Sequence, residues 1–178
     1  MKKTVLTFGL ISGALSSLLM VATLPFAHRI GFNKALIVGY TTIVLSFLLV
    51  FFGIRSYRDN VGNGQITFTK AFAVGISITL ISCLFYVGTW EILYFTVMHG
   101  HMDKYAAYMV EKARASGASA AAIQTQIQEM NKLKGMLENP FFNAAMTFIE
   151  PFPVGLVITL ISAAVLRKKA PAPLPASQ

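Results

Sequence analysis

Residues 69–97 read TKAFAVGISITLISCLFYVGTWEILYFTV. The run is apolar throughout, with Lys70 near its start and one carboxylate, Glu91, inside it. A helix needs about 20 residues to cross a hydrocarbon core of about 30 Å, and this run is longer than that. Its apolar residues are continuous, without the in–out alternation of an outer-membrane strand. It therefore reads as a membrane-crossing helix and sets the class of the whole chain. Three more runs meet the same length, at about 4–26, 35–54 and 142–166. The expected fold is all-α: an integral membrane bundle of four transmembrane helices in a single domain, residues 1–169. An outer helical loop at about 98–140 joins the third and fourth spans, and a proline-rich flexible tail covers 170–178.

Composition agrees. Of the 178 residues, 55% are hydrophobic and 12% are charged, and mean hydropathy is +0.63. A soluble domain carries about twice that charged share. The net charge of +8 falls in short groups between apolar runs, with no zinc-finger, helix-turn-helix or RNA-binding pattern beside it. Membrane topology, not nucleic acid, explains it. A lone cysteine, Cys83, forms no internal disulfide and no cysteine metal cluster, and reads as a small packing residue. No cofactor motif is present.

Lys2-Lys3 before an apolar stretch also describes a signal peptide. Here the apolar run exceeds a signal core of about 7–15 residues, and Pro25-Phe26-Ala27 is a poor cleavage site, so the segment reads as a retained helix. With the amino terminus inside, Lys2, Lys3, Arg55, Arg58, Lys70, Arg167, Lys168 and Lys169 lie on the inner side, with Asp59 the one acid there. Arg29, Lys34, Lys104, Lys112, Arg114, Lys132 and Lys134 lie outside. Most of the outer group sits in one long loop, where charge biases orientation little. Arg55 and Arg58 follow the second span directly, and Arg167-Lys168-Lys169 follow the fourth. Both termini are expected inside, in a bacterial cytoplasmic membrane.

Small residues recur every four positions: Gly9, Gly13 and Ser17; Ala71, Gly75, Thr79 and Cys83; Gly155, Thr159 and Ala163. Such stripes let helix backbones approach closely in lipid, within one bundle or between copies. There is also an echo: 74–82 and 154–162 agree at seven of nine positions, centred on Val-Gly and Ile-Thr-Leu-Ile-Ser. An inverted transporter-type repeat would produce this, and so would shared packing needs. The flanks do not match.

In the outer loop, 103–115 reads as a short helix broken by Ser116-Gly117. Ser119 is placed to cap a second helix by accepting a backbone N–H. There Ile123, Ile127, Met130, Leu133 and Leu137 form one apolar stripe opposite Gln124, Gln128, Asn131, Lys132 and Glu138. This amphipathic hairpin caps its own bundle, lies on lipid or meets a membrane-protein partner. On the inner side, Gly62, Asn63 and Gly64 are turn residues, and Arg55 and Arg58 are candidate contacts for lipid phosphate.

Glu91 and Glu150 both lie at membrane depth, where an ionisable group has a partner or a function. At 1.5 Å per residue, Glu91 is roughly 10 Å and Glu150 roughly 12 Å in from the outer face. Pro151 and Pro153 remove backbone donors beside Glu150 and interrupt the span there. One reading is a structural ion pair, with Arg29, Lys34 or His28 reaching a glutamate. The other is a proton or cation site built on the two carboxylates and the broken helix. His99, His101 and Asp103 form a weak metal candidate, which two interfacial histidines explain as well.

Six stretches carry a resemblance: Phe51-Phe-Gly-Ile-Arg-Ser-Tyr-Arg-Asp-Asn60, Ile66-Thr-Phe-Thr-Lys-Ala-Phe72, Thr89-Trp-Glu-Ile-Leu-Tyr94, Lys104-Tyr-Ala-Ala-Tyr-Met-Val-Glu-Lys-Ala113, Asn139-Pro-Phe-Phe-Asn143 and Phe152-Pro-Val-Gly155. Together, and in this order, they resemble the bacterial membrane proteins known as domain of unknown function 4199. The resemblance implies a small multi-span membrane protein and supplies no reaction, ligand or catalytic residue. The tail lies outside it. The residues therefore point to a non-enzymatic accessory or scaffold protein, acting on the bilayer, a membrane-protein partner or a second copy. A small proton- or cation-coupled transporter using Glu91 and Glu150 is the alternative.

Overall fold

A computed structural model describes residues 1–98 and 100–168. The proline-rich tail, Lys169 and His99 lie outside the described residues. Among the described residues seven helices follow in order: α1 Lys2–Ile30, α2 Phe32–Asn60, α3 Phe68–Thr96, α4 His101–Ala115, α5 Ala120–Leu137, α6 Pro140–Ile149 and α7 Pro151–Leu166. No β-strand occurs among the described residues, and a single antiparallel bridge joins Ile66 to Lys168. Four segments are long and apolar enough to cross a membrane: Lys2–Leu24, Lys34–Asn60, Phe68–Thr96 and Pro140–Leu166.

Two boundaries differ from the sequence expectation. The helix of the second span runs on past Ile54. It continues through Arg55 and Arg58 to Asn60, and the turn occupies 61–65 instead. There Asn63 (φ +49°) and Gly64 (φ +78°) reverse the chain in the left-handed region, and a side chain at Gly62 would collide with the Gln65 carbonyl. The fourth span starts at Pro140, where Asn139 Oδ1 accepts from the backbone N–H groups of Phe141 (2.9 Å) and Phe142 (3.3 Å). That span is two helices rather than one, divided at Glu150 with Pro151 opening α7. Proline is tolerated in a first helical turn because its missing N–H has no partner to lose there.

The chain divides into two compact units, Met1–Tyr86 with the chain from Ile149 onward, and Val87–Phe148. The first contains α1, α2, most of α3, and α7. Its centre is fully buried at Val50, Ile54, Ala71, Val74, Ile78, Cys83 and Ala163. The predicted small-residue stripes are the contact surfaces. A Cβ on Gly9 would stand 2.9 Å from Ile81, and one on Gly13 would stand 2.7 Å from Phe85, so α1 lies against α3 through its glycines.

The α3–α7 contact is reciprocal. Gly75 receives Thr159, whose Cγ2 is 2.8 Å from where a Cβ would be, and Gly155 receives Thr79 more closely still. Between them Thr79 Oγ1 and Thr159 Oγ1 are hydrogen-bonded at 3.0 Å. This antiparallel pairing accounts for the echo between 74–82 and 154–162. A reciprocal contact places the same residues on both partners, with the Thr79–Thr159 bond between them. Buried hydroxyls elsewhere spend their protons on backbone carbonyls: Ser12 on Ser46 at 2.9 Å, Ser46 on Thr42 at 2.9 Å, and Ser82 on Ile78 at 3.0 Å.

The second unit holds the end of α3 with α4, α5 and α6. Helix α5 begins as expected, with Ser119 Oγ accepting from the Ala122 N–H at 3.3 Å. The five residues of its apolar stripe are all half-buried, whereas Gln124, Gln128, Asn131, Lys132 and Glu138 are exposed. Not one residue of α5 is fully buried. Helix α4 contributes a buried Met102, and Lys134 of α5 pairs with Asp103 of α4.

The reciprocal α3–α7 contact yields a stability test. Gly155→Ala forces a methyl group into Thr79 and lowers stability by about 1–3 kcal/mol. Gly39, with nothing within 4 Å of its missing Cβ, tolerates alanine or gains up to about 1 kcal/mol from helix propensity. Thermal unfolding in detergent, followed by circular dichroism, separates the two variants. Equal midpoints would show that α3 and α7 do not depend on this contact.

Candidate functional site

The two intramembrane carboxylates belong to different units. Glu150 occupies the one-residue gap between α6 and α7, in right-handed helical conformation, φ −71° and ψ −58°. Pro151 beside it is buried. Its Oε2 accepts a hydrogen bond of 3.0 Å from the Tyr86 hydroxyl on α3. The expected partner was a cation or a second carboxylate, whereas the observed one is a neutral phenol. Tyr86 was not singled out from the sequence, because an apolar span containing one tyrosine looks like any other. Only the antiparallel register of α3 and α7 brings Tyr86 to the break.

Glu91 lies near the C-terminal end of α3, in the second unit. The residue is half-buried, and its Oε1 is sealed from solvent without a hydrogen-bond donor among the described residues. A carboxylate oxygen so placed costs free energy unless a proton or cation reaches it. Among the described residues, the ion pairs are Arg55–Asp59, Arg58–Asp59 and Lys134–Asp103, and neither Glu91 nor Glu150 takes part. The Arg29 and His28 side chains lie outside the described ones. Lys34 is exposed. Pro153 follows Pro151 in the first turn of α7 and is exposed.

Close to Glu91 in sequence, a polar hub stands that the sequence reading missed. Asn143 of α6, 1% exposed, accepts from Trp90 Nε1 at 3.0 Å and from Thr147 Oγ1 at 3.3 Å, while its amide donates to the Leu137 carbonyl at 3.0 Å. One side chain thus ties the end of α3, the end of α5 and α6 together. Its signal was present in Asn139-Pro-Phe-Phe-Asn143, where one asparagine caps the helix and the other enters it. Trp90 also lies tilted against Tyr94 (5.9 Å between ring centroids) and meets the His101 ring edge-on at 6.1 Å.

The metal candidate is not assembled among the described residues. His101 faces Trp90, and Asp103 is engaged by Lys134, whose ammonium that hydrogen bond holds above its ordinary range. No group of three His, Cys, Asp or Glu side chains converges there among the described residues, and His99 lies outside them. Arg55 and Arg58 share one acid: Arg58 Nε donates to Asp59 Oδ1 at 2.7 Å, and Arg55 Nε is 3.6 Å from Oδ2. Both guanidinium groups are therefore partly committed within the protein. Cys83 is a buried free cysteine, as a packing residue should be.

The hub gives a local prediction. Asn143→Leu keeps the volume but strands the Trp90 N–H and the Leu137 carbonyl, at about 1–3 kcal/mol per orphaned group. Amide exchange in α5 and α6 should accelerate roughly tenfold or more while α1 and α2 stay protected. Unchanged exchange in α5 and α6 would show that the asparagine is dispensable.

The comparisons with known proteins place the chain in a family without assigning it an activity. No curated protein and no solved structure matches it. The family model described as protein of unknown function (DUF4199) matches residues 7–168, which takes in both carboxylates, the Asn143 hub, most of the first long apolar segment and the other three entire. The chain belongs to the DUF4199 family.

Proposed function

We propose that this protein is a non-enzymatic, multi-pass accessory or scaffold protein of the bacterial cytoplasmic membrane, with both termini cytoplasmic. It works by helix packing in the bilayer and by binding a membrane-protein partner, or a second copy, through the amphipathic helical hairpin of α4 and α5. One observation carries this reading. Helix α5 has a continuous apolar stripe at Ile123, Ile127, Met130, Leu133 and Leu137, yet none of these residues is fully buried. An apolar stripe half-covered by its own chain retains area to cover with another. The test is site-specific photocrosslinking in native membranes from Met130, with Ile127→Glu and Leu133→Glu as disrupting changes. A discrete protein adduct at Met130, lost in both variants and absent when the crosslinker is moved to Gln128 on the polar face, is expected. Crosslinks to lipid alone would overturn the reading.

A second reading is favoured by Glu91 and Glu150. One carboxylate has a sealed oxygen without a donor, and the other sits at a helix break held by a phenol. A small proton- or cation-coupled transporter would use such groups. In proteoliposomes with an imposed proton or sodium gradient, a transporter would lose flux in Glu91→Gln or Glu150→Gln while unfolding at an unchanged temperature. Equal flux in the wild type and both variants would remove this reading and leave the scaffold role standing.

A further inference from the structure

A groove of about 530 Å³ opens near the ends of three of the long apolar helices, lined by Tyr57, Gln65, Thr67, Lys70 and Lys168 together with Gly62 and Ile66. Tyr57 is on the last turns of α2, Gln65 and Thr67 lie in the connection before α3, Lys70 is in the first turn of α3, and Lys168 follows α7. These positions bracket Asn60, Phe68 and Leu166, the ends of three membrane-crossing candidates. The groove therefore lies at headgroup level for a bilayer around those segments.

We propose that this groove binds a phosphate group, as the headgroup of an anionic lipid or as a soluble phosphate ester. Its lining carries two ammonium groups and no carboxylate. Asp59, the one acid nearby in sequence, is taken by Arg55 and Arg58. Those arginines are the phosphate candidates the sequence offers, and both are paired with Asp59, whereas Lys70 and Lys168 line the groove.

Tyr57 is the second and independent sign of a ligand. It is 9% exposed, it lines the groove, and its hydroxyl has no hydrogen-bond partner among the described residues. That hydroxyl is not sealed, because the fully buried orphan atoms among the described residues are on Glu91 and His101. A largely buried phenol that lines a basic groove with its donor unspent can donate to a phosphate there.

Rigidity favours binding as well. Ile66 N–H donates to the Lys168 carbonyl at 3.0 Å, and Lys168 N–H to the Ile66 carbonyl at 2.9 Å. This bridge pins Lys168 across the groove from Lys70, and Thr67 Oγ1 accepts from the Lys70 N–H at 3.3 Å. The start of α3 adds the positive end of a 29-residue helix.

The test uses the full chain in nanodiscs of phosphatidylglycerol diluted in phosphatidylcholine, with retained lipid counted by native mass spectrometry. Lys70→Gln with Lys168→Gln should lower phosphatidylglycerol retention roughly tenfold. Tyr57→Phe, which keeps the packing, should lower it by a smaller factor, and Arg55→Gln with Arg58→Gln should leave it nearly unchanged. Displacement of the lipid by millimolar inorganic phosphate would assign the site to a soluble phosphate, and resistance to displacement would assign it to a headgroup; both support the phosphate site. Equal retention by the wild type and the double lysine variant, or loss confined to the arginine variant, overturns the proposal.

Discussion

The close approach of α3 and α7 is the constraint on which the first unit rests. Between helices in lipid there is no hydrophobic driving force, because tails are as apolar as side chains, so association depends on surface fit and hydrogen bonds. Gly75 admits Thr159, Gly155 admits Thr79, and the two threonines then bond each other. Ile54 and Val50 of α2 fill the remaining side of Gly75, and Phe47 fills that of Gly155. Three helices therefore depend on two missing side chains. The same register brings Tyr86, seven residues beyond Thr79, alongside Glu150, five residues before Gly155. The candidate site is thus a consequence of the packing, since a slip of α7 by one turn would take Glu150 away from its phenol.

The two units solve one problem by different means. In lipid-facing segments every buried polar group must be satisfied inside the protein. The first unit uses hydroxyls, which are small and can donate to a carbonyl of their own helix or of a neighbour, as Ser12 does to Ser46. The second unit uses an amide. Asn143 both donates and accepts, and it joins segments whose sequence separation no helix period would predict. Serine and threonine adjust contacts already made by glycine, whereas the asparagine makes a contact that would not otherwise exist.

Most of the architecture was legible in the sequence because its signals are local. Apolar length gave four crossings, and glycine spacing gave their faces. The three- and four-residue recurrence of Ile123, Ile127, Met130, Leu133 and Leu137 gave the half-buried side of α5, down to its cap at Ser119. The helical continuation through Arg55 and Arg58 was harder to see, because glycine and charge at 53–59 resemble a loop until Gly62, Asn63 and Gly64 are recognised as the turn that ends it. Pairwise facts were illegible. That Tyr86 meets Glu150, that Trp90 meets Asn143 and that Tyr57 shares a groove with Lys70 and Lys168 depends on which helices are neighbours. One sequence contains that information only weakly, and here the echo between 74–82 and 154–162 was its trace.

A carboxylate held by a phenol differs in kind from one held by an arginine. An ion pair at membrane depth fixes the charge, because losing either proton state leaves an uncompensated partner. A tyrosine hydroxyl can donate to Glu150 as a carboxylate, and it can rotate to accept when Glu150 is protonated. The contact at 3.0 Å is therefore compatible with both states and forces neither. The backbone beside it adds latitude, since Pro151 supplies no N–H to Glu150 or its neighbours and leaves carbonyls at the α6 end without helical partners. A scaffold needs only one of these states, and would be served as well by glutamine. A neutral, reversible partner at a helix break thus leaves both protonation states of Glu150 compatible with the same packing around it.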